Sequence, residues 1–124
     1  MPYMKVSLAQ KLTEEQRDEV AKELGIALEQ VPGKERTMLM LDLEDGKLIY
    51  MGGVRQEQFA LIDARYYSNF EYHIRKNFTK AVFAALNKTL DIPFHKMSMN
   101  LFECNDWGAF GNYVDERYAD PEET

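Results

Sequence analysis

Hydrophobic and polar positions alternate over the first segment of the chain, from Tyr3 to Ala9, and this predicts a β-strand. Thr13-Glu14-Glu15-Gln16 follows with the spacing of a capping box, so a helix is expected to begin there. Gly25 lies inside this helix at a cost of about 1 kcal/mol relative to alanine, which indicates close packing against another element. Apolar residues recur at the three- and four-residue spacing of one buried face, and they are Val20, Leu24, Ala27 and Leu28.

A break and a second strand follow this helix. Val31-Pro32-Gly33-Lys34 ends the helix, and a strand is predicted from Thr37 to Leu43. Glu44-Asp45-Gly46 is a turn signal that leads to a short apolar run from Leu48 to Met51, which ends in Gly52-Gly53. We expect this run to be an edge strand that can pair with a second subunit.

The second half of the chain repeats this order. A strand is predicted from Phe59 to Arg65, a second capping box at Ser68-Asn69-Phe70-Glu71, and a closing strand from Met97 to Cys104 after a break at Ile92-Pro93. The buried stripe of the second helix consists of Phe70, Ile74, Phe78, Val82 and Leu86. We therefore predict an α+β fold of two βαβ repeats, in which a four-stranded mixed sheet carries two helices on one face because each crossover is right-handed.

Length and composition indicate a single globular domain. The chain has 124 residues, of which 45% are hydrophobic and 12% aromatic. The repeat halves are expected at about 1–53 and 54–112, followed by an acidic C-terminal tail at 113–124. The end of this tail, from Asp115 to Thr124, is expected to be frayed or to clasp an oligomer.

The second face of the predicted sheet needs a partner. Met38-Leu39-Met40-Leu41 and Phe59-Ala60-Leu61-Ile62 are apolar at successive positions, so these strands are expected to be buried on both faces. Since the helices cover only one face, we predict a closed homo-oligomer that buries the other.

Charge and cysteine content argue against several classes of function. The net charge is −6 without a basic stripe, which argues against nucleic acid and anionic membrane surfaces. No apolar run approaches the roughly 18 residues of a membrane span, and the first residues lack the pattern of a signal peptide, so a cytoplasmic location is expected. The single cysteine, Cys104, excludes an internal disulfide. Cys104, His73 and His95 lack the spacing of zinc ligands, and no metal or other cofactor is expected.

Pro2 has two interpretations. Proline is tolerated at the first position of a strand because the hydrogen bond that it cannot donate is not needed there. If Met1 is removed, however, the Pro2 nitrogen is a free secondary amine, a base that no other residue type supplies. Taken alone, Pro2 fits both interpretations.

Scattered positions along the chain resemble the tautomerase superfamily, most closely the branch of macrophage migration inhibitory factor and the phenylpyruvate tautomerases. These positions are Pro2, the stretch from Leu28-Glu29-Gln30 through Gly33-Lys34 to Met51-Gly52-Gly53, and Asn100. The resemblance extends to about Asn112. It implies a homotrimer with sites between subunits, and keto–enol tautomerisation of arylpyruvate-like 2-oxo acids such as phenylpyruvate.

The resemblance implies a role for each of two charged or basic groups. Pro2 would be the general base, and apolar surroundings together with a nearby cation would lower the pKa of its amine toward the working pH. Lys34 would supply the cation and bind the substrate carboxylate, although a lysine in a Pro-Gly-Lys-Glu turn is by itself typical of a solvated loop.

The remaining candidates would shape the pocket. Tyr3, Trp107 and Phe110 would form an apolar wall, with Tyr67 as a further substrate-binding residue. Trp107 and Phe110 could instead cap the core or a subunit interface. Asn100 interrupts an apolar strand, and its amide either bonds a neighbouring backbone or, as the resemblance implies, lines the site of an adjacent subunit.

Two departures from the branch bear on the pocket. Ala64-Arg65-Tyr66-Tyr67-Ser68 stands where the branch has a smaller, glycine-containing segment, and Ser98 replaces a tyrosine that is often found two residues before the asparagine. Both changes put substrate size and efficiency with phenylpyruvate in question.

Two alternative functions remain open. Asn105-Asp106-Trp107 and Phe110-Gly111 resemble the malonate-semialdehyde decarboxylase branch, which suggests a decarboxylase or hydratase of a small 3-oxo acid with Arg65 as a cation. The other alternative is a non-enzymatic, cytokine-like interaction protein. A retained Met1 would turn the Pro2 nitrogen into an amide and remove the proposed base.

Overall fold

Eight strands and two α-helices make up the part of the chain that the computed structural model describes, residues 2–118. In chain order they are β1 (Pro2–Leu8), α1 (Glu14–Leu28), β2 (Met40–Glu44), β3 (Tyr50–Met51), β4 (Val54–Arg55), β5 (Ala60–Tyr67), α2 (Tyr72–Leu90), β6 (Met97–Cys104), β7 (Asp106–Ala109) and β8 (Asn112–Asp115).

The central sheet has four strands in the order β2-β1-β5-β6. β1 is parallel to β2 and antiparallel to β5, and β5 is parallel to β6. Each helix therefore connects two parallel neighbours, as a βαβ unit requires. This confirms the predicted α+β class with two βαβ repeats and a four-stranded mixed sheet.

The hydrophobic core lies between the two helices and one face of the sheet. Alternate residues of β1 are buried there, beginning at Pro2 and continuing through Met4, Val6 and Leu8. The predicted stripe of α1 is confirmed, and that of α2 is confirmed from Ile74 onward, whereas Phe70 lies before the helix and packs against the core from the preceding turn. The fully buried members of the two stripes are Val20, Leu24, Leu28, Phe78, Val82 and Leu86. Gly25 is needed for close packing, because a Cβ at this position would lie 3.2 Å from Cβ of Arg36.

The two predicted capping boxes have different outcomes. Thr13 Oγ1 accepts a hydrogen bond from the Gln16 amide at 3.1 Å and Gln16 Oε1 accepts one from the Thr13 amide at 2.9 Å, so the first box is confirmed. The second box is wrong, since α2 begins at Tyr72 after Glu71, which makes no capping bond with its side chain. Ser68 is unable to cap the helix because it lies in a turn with φ of 95° and its hydroxyl donates to Glu116 at 3.1 Å.

The strand after α1 begins later than predicted. Arg36–Met38 form a 3₁₀ turn, and β2 therefore starts at Met40 rather than at Thr37. The predicted apolar run contributes only its last two residues to a strand, β3, which pairs with β4 across Gly52 and Gly53. Both glycines have positive φ, as a two-residue hairpin turn demands. Pairing of this run with a second subunit stays a prediction.

A second hairpin, formed by β7 and β8, was not anticipated by the sequence pattern. It corrects the expected tail, because Tyr113–Asp115 belong to β8, and the Asp115 carboxylate accepts hydrogen bonds from the backbone and side chain of Arg117. The last part of the tail, residues 119–124, lies outside the described residues.

The sheet face opposite the helices, called here the open face, is mixed rather than apolar. Strand register places its side chains in rows that cross all four strands. The first row is Met40, Tyr3, Arg65 and Phe102; the second is Asp42, Lys5, Asp63 and Asn100; the third is Glu44, Ser7, Leu61 and Ser98. Of the segments that were expected to be apolar on both faces, only Met40 and Leu61 contribute to the outer rows, and the middle row is polar throughout.

Neither α1 nor α2 has the length and apolar content of a membrane span.

Candidate active site

Several candidate residues lie at one end of the sheet, where β1 begins. Because β1 and β5 are antiparallel, Pro2 lies opposite Tyr66, close to the end of β5. β6 runs parallel to β5 and ends at Cys104, next to Tyr67 in register. The β7–β8 hairpin follows directly, so it stands at the same end of the sheet as Pro2.

Lys34 reaches this end from the turn after α1. Val31 is fully buried and anchors the turn, which is closed by a 3.0 Å hydrogen bond from the Lys34 amide to the Val31 carbonyl. Gly33 has φ of 79°, a conformation that favours glycine. The Lys34 Nζ then donates to the Tyr67 carbonyl oxygen at 3.0 Å. The structure therefore brings Pro2, Lys34 and Tyr67 to one place.

Pro2 and Tyr3 lie on opposite faces of the sheet. Pro2 is buried on the side of the helices, and its cross-strand neighbour Tyr66 is also buried. Tyr3 is half-buried on the open face, beside Met40 and Arg65 in register. The apolar surroundings of Pro2 thus come from the core side, and Tyr3 is not part of them.

Tyr67 contributes its backbone to Lys34 and its side chain to the open face. Burial raises the pKa of its phenol, and the carboxylates of Glu116, Asp115 and Asp106 raise this pKa further. The phenol is therefore a neutral hydrogen-bond donor at physiological pH. These carboxylates belong to the β7–β8 hairpin or directly follow it, so Tyr67 lies against the hairpin.

The two aromatic candidates of the hairpin differ in exposure. Trp107 is half-buried on β7 opposite Val114. Phe110 is 82% exposed at the tip, with a positive φ of 53°. The structure therefore places Trp107 at the same end of the sheet as Pro2, whereas Phe110 projects into solvent.

Tyr113 links the two strands of the β7–β8 hairpin through hydrogen bonds to charged side chains. Its hydroxyl donates to Asp106 at 3.2 Å and to Asp115 at 3.1 Å. Burial and these two bonds raise the pKa of Tyr113 to about 12, whereas hydrogen bonds from Arg117 lower the pKa of Asp115 to about 2.

Asn100 is remote from Pro2 within one chain. It lies exposed in the middle row of the open face, next to Asp63 and two strands away from Lys5. Strand spacing and rise put it about 14 Å from Pro2 of the same chain. One chain by itself does not bring these two candidates together.

Arg65, the cation of the alternative function, is already engaged on the open face. Its guanidinium lies 3.5 Å from the Asp63 carboxylate and 5.1 Å from the centre of the Phe102 ring. The Arg65 guanidinium therefore already has a charge partner, Asp63, and an aromatic partner, Phe102, in the same chain.

Sequence reasoning missed Glu103. Its carboxylate is 13% exposed, and Oε2 accepts hydrogen bonds from the Tyr66 hydroxyl at 2.9 Å and the Phe70 amide at 2.7 Å. Arg75 Nε lies 3.6 Å from Oε1. Burial and the bond to Glu103 raise the pKa of Tyr66. The signal was a carboxylate on a strand face that is otherwise occupied by Met97, Met99 and Leu101.

No metal centre is found in the described part of the chain. Within residues 2–118, His, Cys, Asp and Glu side chains form no group of three or more that could hold a metal ion.

No protein-family model matches the sequence, and no curated protein matches it significantly. Solved structures do match. MIF2 from Leishmania major superposes with a TM-score of 0.82 at 18% identity, over 92% of this chain and 97% of that one. Pt0534, solved after inactivation by 2-oxo-3-pentynoate, gives a TM-score of 0.77 at 16% identity, over 88% and 93%. A wild-type fused 4-OT, solved as an asymmetric trimer, gives 0.79 at 16% identity, over 89% and 94%.

These three structures share the two helices and the four-stranded mixed sheet described above. At this identity the likeness concerns the fold, and it extends over nearly the full length of both chains. The chain therefore has the tautomerase fold, which MIF2 and fused 4-OT also have.

Proposed function

We propose that this protein is a keto–enol tautomerase of arylpyruvate-like 2-oxo acids, with Pro2 as the general base after removal of Met1. The observation that carries the proposal is the position of the Lys34 ammonium, 3.0 Å from the Tyr67 carbonyl and at the strand end where Pro2 pairs with Tyr66. A cation, a buried proline at the start of a strand and an aromatic hairpin are thus found at one end of the sheet.

The proton transfer makes specific demands on Pro2. The neutral Pro2 amine removes a proton from the carbon next to the substrate carbonyl, which leaves an enolate and a protonated amine. The protonated amine then returns this proton to the enolate oxygen, so that the enol is released and the neutral base is restored. This base must have a pKa near the working pH, below that of an ordinary secondary amine. The buried position of Pro2 and the nearby Lys34 ammonium both disfavour the protonated amine, and both therefore lower its pKa.

Lys34 also gives a reason why the substrate would be a carboxylic acid. The ammonium has three N–H donors, and one of them bonds to the Tyr67 carbonyl oxygen. The other two can bond to a substrate carboxylate. The inactivation of Pt0534, which has the same fold, by a 2-oxo acid supports a 2-oxo carboxylate as the ligand class. An aryl ring would lie against Trp107 and Phe110 of the hairpin.

We further propose that the working form is a homotrimer. The trimeric form of fused 4-OT supports this assembly. It would cover the open face and bring Asn100 of a neighbouring copy to a site that Asn100 of the same chain does not reach.

The decisive test replaces Pro2. Intact mass is expected to show loss of Met1, and the processed protein is expected to tautomerise phenylpyruvate. A form with an N-terminal extension retains the Pro2 side chain but has an amide nitrogen without basicity, so it should lower kcat/KM about a hundredfold, which is a typical contribution of a general base. Pro2→Ala keeps an N-terminal amine but replaces the secondary amine of the ring with a primary one, and it should also lower kcat/KM.

Other results of this experiment would contradict the proposal. A processed protein that is inert toward arylpyruvates but decarboxylates or hydrates three-carbon 3-oxo acids would favour the alternative enzyme. Inertness toward both classes, with no effect of Pro2→Ala, would leave an interaction protein.

The carboxylate role of Lys34 is tested separately. Lys34→Ala should raise KM for phenylpyruvate about tenfold or more, since one charge-assisted contact is lost. Lys47→Ala is the control, because Lys47 pairs with Glu44 at 2.6 Å at the opposite end of the sheet. Unchanged KM in Lys34→Ala would remove Lys34 from the site.

A further inference from the structure

The turn between β5 and α2 holds a strained residue next to the proposed site. Ser68 has φ of 95°, in a region that side chains other than glycine rarely adopt. Such residues persist only where neighbouring contacts fix them, and they cluster at functional sites. Ser68 directly follows Tyr67, whose carbonyl oxygen accepts the hydrogen bond from Lys34. The conformation of this turn therefore determines where the Lys34 ammonium lies.

Contacts on both sides of Ser68 hold the turn. Its amide donates to the Cys104 carbonyl at 2.8 Å, and its hydroxyl donates to Glu116. Glu103 holds the chain on both sides of Ser68, because its Oε2 accepts hydrogen bonds from the Tyr66 hydroxyl and from the Phe70 amide. These two donors lie two residues before and two residues after Ser68.

Glu103 is well suited to this task. It is next to Tyr66 in the register of β5 and β6, and its carboxylate is 13% exposed. Arg75 of α2 approaches its second oxygen at 3.6 Å. The Tyr66 ring is also fixed, since it packs edge-on against Phe70 at 5.6 Å. One largely shielded carboxylate thus joins β5, the turn, α2 and β6.

We propose that Glu103 is a positioning residue for the proposed site: its carboxylate locks the Ser68 turn so that the Tyr67 carbonyl aims the Lys34 ammonium. The inference rests on the proposed function, because it assigns that ammonium to the substrate carboxylate and to Pro2. Glu103 lies on the helix side of β6, and in this proposal it acts through its hydrogen bonds to Tyr66 and Phe70 rather than through contact with the substrate.

Two substitutions of Glu103 separate positioning from charge. Glu103→Gln keeps an oxygen that accepts both hydrogen bonds and loses the charge, whereas Glu103→Ala loses both. We expect Glu103→Ala to raise KM for phenylpyruvate about tenfold with a smaller change in kcat, and Glu103→Gln to restore KM close to that of the wild type. Glu44→Ala, at the far end of β2, is the control.

The pH profile distinguishes the two mechanisms by sign. The acidic limb of kcat/KM reports the pKa of the Pro2 amine, which must be neutral to act. If Glu103→Ala displaces Lys34, this pKa rises and the limb moves to higher pH. If Glu103 acts only through its charge, removal of that charge lowers the pKa, and both variants move the limb to lower pH. The second result, or equal KM in both variants, would overturn the proposal.

A second pair of variants tests the turn directly. Ser68→Gly and Ser68→Val both lose the bond to Glu116, but only valine is strained at positive φ. Valine should reproduce the KM increase of Glu103→Ala, and glycine should not. Equal effects of the two would contradict the assignment.

One measurement does not depend on activity. The NMR resonance of Lys34 Cε should move in Glu103→Ala and stay in place in Glu103→Gln. A processed wild-type protein that is inert toward arylpyruvates refutes the proposed function, and the Lys34 resonance then still decides whether Glu103 positions this side chain. An unmoved resonance in Glu103→Ala would refute the positioning role.

Discussion

At the scale of single residues, two of the three described non-glycine residues with positive φ lie at or beside candidate site residues, and the third, Asp91, ends α2. Besides Ser68, Phe110 has a positive φ, in the two-residue turn with Gly111 at the tip of the β7–β8 hairpin. Such turns favour asparagine before glycine. A large aromatic side chain that is 82% exposed in a strained position gains nothing from burial in its own chain. This combination is consistent with a contact outside the chain, to a substrate or to a second copy.

Phe110→Asn is expected to separate stability from function. Asparagine adopts the left-handed region more readily, so the free energy of unfolding should rise by about 1 kcal/mol. Loss of the aromatic ring should raise KM for arylpyruvates. Phe94→Asn is the control, because Phe94 is exposed in a 3₁₀ turn without positive φ and should gain no stability. Urea unfolding and steady-state kinetics measure the two effects. A Phe110→Asn protein that is less stable would contradict the strain argument.

At the scale of elements, the two helices begin in different ways. α1 has a complete capping box, whereas Glu71 before α2 makes no capping bond with its side chain. The reason is the preceding turn, which uses Ser68 and Asn69 in contacts with Glu116. The start of α2 is thus held by tertiary contacts, among them the bond from the Phe70 amide to Glu103.

An added cap should therefore stabilise α2. Glu71→Asp keeps the charge and shortens the side chain to a length that caps well, so the free energy of unfolding should rise by about 0.5 kcal/mol or more. Thr13→Ala is the opposite control at α1 and should lower it by about 1 kcal/mol. Urea denaturation of the three proteins gives both differences. No gain in Glu71→Asp would show that the backbone before α2 is unable to adopt cap geometry.

At the scale of the whole molecule, the open face is the surface that the proposed homotrimer would cover. Its outer rows expose Met40, Leu61 and Phe102 to between 39% and 51%, and its middle row is polar. A second copy on this face would bury the few apolar side chains of the outer rows, whereas the charged groups of the middle row would need to stay paired or hydrated. It is consistent with assembly around a polar centre rather than with a dry interface.

A charge on the open face should break the proposed homotrimer. Leu61→Lys replaces an exposed apolar side chain of the open face with an ammonium and should shift the sedimentation coefficient to that of a single 14.5 kDa chain. Ala21→Lys adds the same charge to the exposed side of α1 and should leave the assembly intact. Sedimentation velocity measures both proteins. A trimer that persists in Leu61→Lys would place the interface elsewhere.

Local patterns were sufficient to predict much of the fold. The 3.6-residue stripe of Val20, Leu24 and Leu28 is a local signal, and so is the Thr13–Gln16 capping box, because each depends on residues within one helix. The start of β2 was predicted too early because the residues from Thr37 onward are compatible with an extended strand as well as with the 3₁₀ turn that they begin in. The second capping box failed because Ser68 bonds Glu116, which is 48 residues away in sequence.

The sequence by itself determined the two βαβ repeats and the buried helix faces, and its resemblance to the tautomerase superfamily supplied Pro2, Lys34 and Tyr67 as candidates. Only the tertiary structure decided that these three meet at one strand end, that Tyr3 faces away from Pro2, and that Asn100 of the same chain is remote. It also revealed Glu103 and the β7–β8 hairpin. The physical reason is that periodicity records which side of an element is buried, whereas strand register and long-range hydrogen bonds determine which side chains become neighbours.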